Sequence, residues 1–289
     1  MSYAERRWRT ADGIDLYVRD YPGAGGPARL PVVCLHGLTR NSKDFAAIAG
    51  EIAGAGRRVI VPDMRGRGRS GYDPHPMNYV PKTYARDVAG MMRALGVERA
   101  IFLGTSMGGI ITMLMAATHS RRVAGAILND VGPEVAPEGL ARIAAYAGKP
   151  AAIGSWAEAT AYVRRIGAAA FPHFGDADWE RFAHLTFRST DSGAPAFDYD
   201  PAIAEPMRAG KLKVPRLVTW FLFRRLARGR PLLLVRGERS DILSPAVAER
   251  MRRVAKHILY AEVPGVGHAP MLDEPAARQA IAAFLAEVP

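Results

Sequence analysis

The sequence predicts an α/β fold: a doubly wound, mostly parallel sheet with a helical cap inserted late in the chain. Three observations carry this. Short apolar runs alternate with longer helical patterns between residues 14 and 129, at the spacing of βαβ units. His36, Asp63, Ser106 and Asp130 each fall just after one of those apolar runs. A parallel sheet would bring them to one edge, outside the carboxyl ends of its strands, where ligands of such folds bind. The rhythm stops at Pro133 and resumes only at Pro231.

Residues 14–20 (IDLYVRD) alternate apolar and polar, as in a half-buried strand, and stop at a Pro/Gly-rich turn from Pro22. Residues 31–35 (PVVCL) read as a buried strand running into His36-Gly37-Leu38-Thr39. Asn41 or Ser42 caps a helix to about residue 53. A strand at 59–61 precedes the turn 63–70 (DMRGRGRS), and 84–95 form a helix stopped by Gly96. Residues 100–103 and 123–128 are buried strands on either side of a Met/Ile/Leu/Ala-rich helix. After a helix near 216–227, the sheet resumes with 231–235 (PLLLV); a helix at 246–255, a last strand at 258–263 and a closing helix at 275–287 follow. Between 133 and about 214 there are helical pieces and aromatic loops but no buried strand; Ser155-Trp156-Ala157-Glu158 is a capping box opening a helix to about 166. The chain therefore divides into a core, 1–132 and 215–289, and a cap, 133–214.

A chain of 289 residues, 49% hydrophobic, supports one large domain with an insertion. Cys34 is the single cysteine and lies in an apolar run, so no intramolecular disulfide forms; a cytoplasmic location is the simplest reading. The first residues are polar and no stretch reaches the length of a membrane span, so no membrane partner is expected. The net charge is +11, with 33 Arg against 6 Lys. The arginines are spread along the chain with no basic, aromatic-interleaved segment. They read as a solvated surface, not a nucleic-acid site.

Gly104-Thr105-Ser106-Met107-Gly108 matches G-x-S-x-G between a strand and a helix. A turn that sharp strains its central residue and brings the backbones at Gly104 and Gly108 too close for a Cβ. It presents Ser106 as a nucleophile. A serine hydroxyl needs a neutral imidazole to take its proton and a carboxylate to orient that imidazole. His268, in Gly265-Val266-Gly267-His268 after the last strand, supplies the base. Two acids compete. Asp241 follows the strand 231–235; Asp130 follows the strand 123–128, where the chain leaves the sheet and an Asp commonly anchors a turn. Asp241 is the expected acid and Asp130 the alternative.

With Ser, Asp and His in that order, the chain resembles the α/β-hydrolase superfamily over nearly all its length, in a serine-nucleophile, esterase- or lactonase-like branch with a helical lid. The resemblance implies an eight-stranded sheet, and an oxyanion hole made by the backbone N–H groups of Leu38 and Met107. Asp241 matches the commoner position of the acid. The turn 63–70 looks like the family's D-x-R-G-x-G-x-S, with a loop-shaping role; Phe45 stands near where many relatives carry Trp. The implied function is hydrolysis of a small-molecule carboxylic ester or lactone through an acyl-enzyme, with no metal or other cofactor. The alternatives are C–C bond hydrolysis of ring-cleavage diketones, peroxyacid-forming chemistry, or a triad-bearing ligand receptor with little turnover. Trp156 and Phe174 of the lid are expected to line the substrate pocket, with Tyr162, Phe171, Trp179 and Phe182 also available.

Overall fold

In a computed structural model of the chain, residues 2–25, 29–149, 151 and 153–288 are described. Eight strands form one sheet: β1 (Ala4–Arg9), β2 (Asp15–Tyr21), β3 (Val32–Leu35), β4 (Val59–Pro62), β5 (Ala100–Thr105), β6 (Val123–Asn129), β9 (Leu232–Gly237) and β10 (Ile258–Val263). Their spatial order is β1-β2-β4-β3-β5-β6-β9-β10. β2 runs antiparallel to both β1 and β4, and every other pairing is parallel. The strands β3 to β6 and β9 are buried along essentially their whole length, which is why they read as unbroken apolar runs and not as alternating patterns.

Helices cover both faces. On one lie α2 (Pro81–Ala94), α3 (Met107–Thr118), α8 (Arg216–Ala227) and α9 (Pro245–Val254), which pack Val88, Ile111, Phe223 and Met251 into one apolar cluster. On the other lie α1 (Ala46–Gly54) and α10 (Pro275–Glu287), whose Ile52 and Phe284 join a second cluster. The α1 helix is preceded by a 3-10 turn, Ser42–Phe45, capped by Asn41. β1 has no apolar signal, since its sequence is AERRWR. It is an edge strand held by the ladder to β2, and its exposed charged side chains discourage a further strand from pairing there.

Between β6 and α8 lie α4 (Pro137–Tyr146), α5 (Trp156–Gly167), α6 (Asp176–Thr186) and α7 (Glu205–Arg208). They are joined by something the sequence pattern does not predict, a two-stranded antiparallel hairpin of β7 (Phe187–Ser189) and β8 (Pro195–Phe197). Strands of three residues are too short to show a period; the Phe187 and Phe197 rings, 4.9 Å apart, hold them together. Ser155 caps α5 by accepting the Glu158 N–H at 3.2 Å, but the Glu158 carboxylate turns to the Gly154 N–H, so the box stays half closed.

The segment after the hairpin is laced to the core. The Gly68 N–H donates to the Asp198 carbonyl and the Asp200 N–H to the Gly66 carbonyl, both at 2.8 Å, while Lys43 pairs with the Asp198 carboxylate at 2.9 Å. Gly68 has φ +53°, and a Cβ there would fall 2.2 Å from the Asp63 carboxylate, so only glycine fits. Arg65 of the same turn is buried and paired with Asp12, Asp73 and Asp87, in keeping with a loop-shaping role. Among the described residues no helix is long and apolar enough to cross a membrane.

Candidate active site

Ser106 sits between β5 and α3 with φ 52° and ψ −114°, a conformation that costs a non-glycine residue energy and that its surroundings enforce. Its N–H donates to the Asn129 carbonyl at 3.0 Å, tying the turn to β6. A Cβ at Gly104 would lie 2.5 Å from the Gly108 carbonyl, and one at Gly108 would lie 2.0 Å from the Leu35 carbonyl. The two glycines thus let α3 seat directly on β5 and β3, and the serine is levered out above them.

His268 Nε2 lies 2.9 Å from Ser106 Oγ. His268 Nδ1 lies 2.8 Å from Asp130 Oδ2. A carboxylate can only accept, so Nδ1 carries the proton and Nε2 is free to receive one from the serine. Asp130 is fully buried at the end of β6, in the left-handed region (φ 55°) that Asp tolerates better than most residues. Its Oδ1 accepts the Gly237 N–H at 3.0 Å, and its Oδ2 also accepts the Ser240 hydroxyl at 2.6 Å.

The expectation that Asp241 is the acid is therefore corrected. β6 lies between β5 and β9 in the sheet, so the residue that ends β6 falls beside both the serine and the loop that carries His268. Asp241 lies beyond the end of β9, is about one-third exposed, and turns away to α4, where Arg142 binds it at 2.6 and 2.8 Å. Burial works to raise the Asp241 carboxyl, but Arg142's hydrogen bonds and charge outweigh it and hold the group below its ordinary value. The anchoring role expected of Asp130 is present too, since it accepts Gly237 N–H, but the same carboxylate also holds the imidazole.

Among the described residues the N–H groups of Leu38 and Met107 donate to no protein acceptor; Met107 directly follows Ser106, and Leu38 lines the same cavity as the serine. His36, fully buried, shapes the Leu38 loop: its Nδ1–H donates to the Gly37 carbonyl at 2.8 Å, and its Nε2 accepts the Met64 N–H at 3.0 Å. Burial, with the nearby Arg67 charge, holds this imidazole down at about 4, against the Gly37 hydrogen bond.

A cavity of about 120 Å³ opens onto Ser106 and His268. Its apolar wall includes Tyr162, Phe171 and Phe182, and its polar wall includes Arg40, Arg142 and Tyr146. Trp156 and Phe174, the two aromatics expected to line it, do not. Trp156 stacks on His184 at 4.0 Å in a separate surface hollow between α5 and α6, and Phe174 stacks on Phe171 at 4.6 Å. Sequence reasoning missed Arg40 and Arg142. Arg142 carries no motif, and its position shows only once α4 is docked against the loop after β9. Among the described residues no group of three His, Cys, Asp or Glu side chains is placed to hold a metal ion.

A family model described as the alpha/beta hydrolase fold matches residues 31–275. The chain belongs to the α/β-hydrolase family. This α/β hydrolase is 36% identical over 262 residues to the 3-hydroxybutyrate-oligomer hydrolase of Cupriavidus necator, and the match covers 87% of each chain. It is 27% identical over 259 residues to the 2-(acetamidomethylene)succinate hydrolase of Mesorhizobium japonicum, covering 88% of this chain and 85% of that one. A solved α/β hydrolase from Novosphingobium aromaticivorans superposes with a TM-score of 0.93 at 43% identity, covering 99% of both chains.

Proposed function

We propose that this α/β hydrolase is a serine carboxylic-ester hydrolase that cleaves short oligoesters of hydroxy acids bearing a free carboxylate. The observation that carries the reading is the unbroken line from Asp130 through His268 to Ser106, at 2.8 and 2.9 Å, at the floor of a cavity. Ser106 Oγ attacks the ester carbonyl as His268 Nε2 takes its proton, and buried Asp130 stabilises the imidazolium. The unused N–H groups of Leu38 and Met107 receive the oxyanion. His268 then protonates the departing alcohol and activates the water that frees the acid.

The substrate class rests on three supports. The cavity, about 120 Å³, is smaller than the roughly 300–1,000 Å³ of sites for larger ligands, which suits a short acyl unit. Its polar wall holds Arg142, whose Nε and Nη2 are bound to Asp241 and whose Nη1 remains to meet a substrate carboxylate. The relative from Cupriavidus necator acts on 3-hydroxybutyrate oligomers, esters that end in a carboxylate. In this reading residues 133–214 act as a substrate-selecting cap on a core of 1–132 and 215–289. A cytoplasmic site of action goes with the single, fully buried Cys34 thiol.

The test is a panel run on one preparation: 3-hydroxybutyrate trimer, its methyl ester, p-nitrophenyl butyrate, a lactone and a ring-cleavage diketone. Ester turnover with the free trimer preferred about tenfold over its methyl ester is expected, and Arg142→Ala should abolish that preference, since a hydrogen-bonded charge contributes about 1.5–3 kcal/mol. A faster diketone would move the protein to C–C hydrolysis. No turnover at all, with no fluorophosphonate labelling of Ser106, would make it a receptor.

A further inference from the structure

Arg67 is fully buried, and among the described residues it forms no ion pair, whereas Arg65 two residues away is surrounded by three carboxylates. A buried charge without a counter-ion is costly and calls for a reason. Its hydrogen bonds point to one. Nε donates to the Leu38 carbonyl at 2.9 Å and Nη2 faces Met107 Sδ at 3.7 Å, the two residues that carry the free N–H groups beside Ser106. Nη1 donates to the Arg65 carbonyl at 2.8 Å and to the Tyr84 hydroxyl at 2.7 Å, and the guanidinium lies 4.9 Å from the Tyr84 ring centre. The side chain is thus fixed from behind, with its charge toward the elbow.

We infer that Arg67 is a positioning residue of the oxyanion hole, and that the missing counter-ion is the oxyanion itself. This rests on the ester-hydrolase reading above. With the planar guanidinium fixed by Arg65 and Tyr84, its Nε–H holds the Leu38 carbonyl, and with it the Leu38 main chain, in one orientation. When Ser106 Oγ bonds to the carbonyl carbon, the C=O π pair moves onto oxygen and the serine proton passes to His268. The negative charge then forms between Leu38 and Met107, the two residues that the fully buried Arg67 guanidinium contacts. The N-terminal end of α3 adds its partial positive charge at the same place. The ground-state ester carries no such charge, so the effect falls on kcat and not on KM.

The experiment compares Arg67→Gln and Arg67→Lys with wild type, using p-nitrophenyl butyrate turnover and inhibition by a trifluoromethyl ketone of matched chain. That ketone adds Ser106 Oγ to give a tetrahedral oxyanion; the plain methyl ketone serves as the control that does not. Arg67→Gln should lose about 100-fold in kcat with KM within about threefold, the loss typical of removing one oxyanion donor. Arg67→Lys keeps the charge but not the fork and should lose about tenfold. Trifluoromethyl ketone affinity should fall in step with kcat/KM while methyl ketone affinity stays within about twofold. If Arg67→Gln does not fold, Arg67→Lys decides by the same two readouts. Folded variants with wild-type kcat and wild-type trifluoromethyl ketone affinity would overturn the inference alone. A wild-type protein without ester turnover would overturn the hydrolase reading, and this inference with it.

Discussion

Arg142 grips Asp241 through two hydrogen bonds, Nε to Oδ2 at 2.6 Å and Nη2 to Oδ1 at 2.8 Å. The pair bridges α4 and the loop after β9, and it occupies the carboxylate that motif order alone assigns to His268. The imidazole is held instead by Asp130.

Asp130→Asn should therefore lower kcat by about 10²–10⁴, because the amide favours the wrong imidazole tautomer. Asp241→Asn should lower it less than about tenfold and act mainly on KM, through a loosened Arg142. Both are measured on variants of matched melting temperature. The opposite ranking would return the acid to Asp241.

Ser106→Ala should end turnover and keep the fold. Ser106→Gly, which also lacks the hydroxyl, should be more stable than Ser106→Ala by about 1 kcal/mol, because glycine adopts φ 52° without the cost a Cβ brings. Equal unfolding midpoints would show that the turn stores no strain.

Phe171→Leu should shift relative kcat/KM among acyl chain lengths by about 1–3 kcal/mol, since Phe171 lines the cavity. Trp156→Ala should leave the ranking of substrates unchanged, because its ring stacks on His184 outside that cavity. A ranking altered by the Trp156 change and untouched by the Phe171 change would mean that substrates lie on the outer face of α5.

Folding should weaken in acid through His36. In the unfolded chain a histidine titrates near about 6.5, while burial holds His36 at about 4. Between those values the unfolded state binds a proton that the folded state refuses, so stability falls as pH drops from about 6.5 to about 4 and is unaffected by this group above that range. Between pH 7 and 4.5 the wild type should lose about 2–3 kcal/mol more than His36→Gln in denaturant titrations. Equal losses would mean that the imidazole takes up its proton without unfolding.

The parts of the site legible in the sequence are those enforced over a few residues. Gly104, Ser106 and Gly108 stand at fixed offsets because the Leu35 carbonyl and the Gly108 backbone leave no room for a Cβ, and that constraint is written locally. His268 was legible from its place after the last strand. The choice between Asp130 and Asp241 was not, because both follow strands. Only the register of β6 on β9, with Asn129 opposite Val235, sets the Asp130 carboxylate beside Gly237 N–H and the Ser240 hydroxyl. Trp156 and Phe171 differ in which way a helix or its following loop faces, which docking decides and composition does not. β1 and the β7–β8 hairpin escaped for a related reason. Their partners, not their own residues, make them strands.

Asp130 directly follows β6, so Ser106 and its acid both precede α4, and only His268 comes after the sheet resumes. The distance along the chain from nucleophile to acid is set by α3, the 3-10 turn Ser120–Arg122 and β6. Had the acid been Asp241, every change in the length of the stretch between β6 and α8 would alter the chain distance between those two partners. As built, the length of chain between β6 and α8 has no bearing on how far the nucleophile lies from its acid. What the chain must supply after that stretch is Gly237 and Ser240, whose N–H and hydroxyl brace Asp130 from the far side.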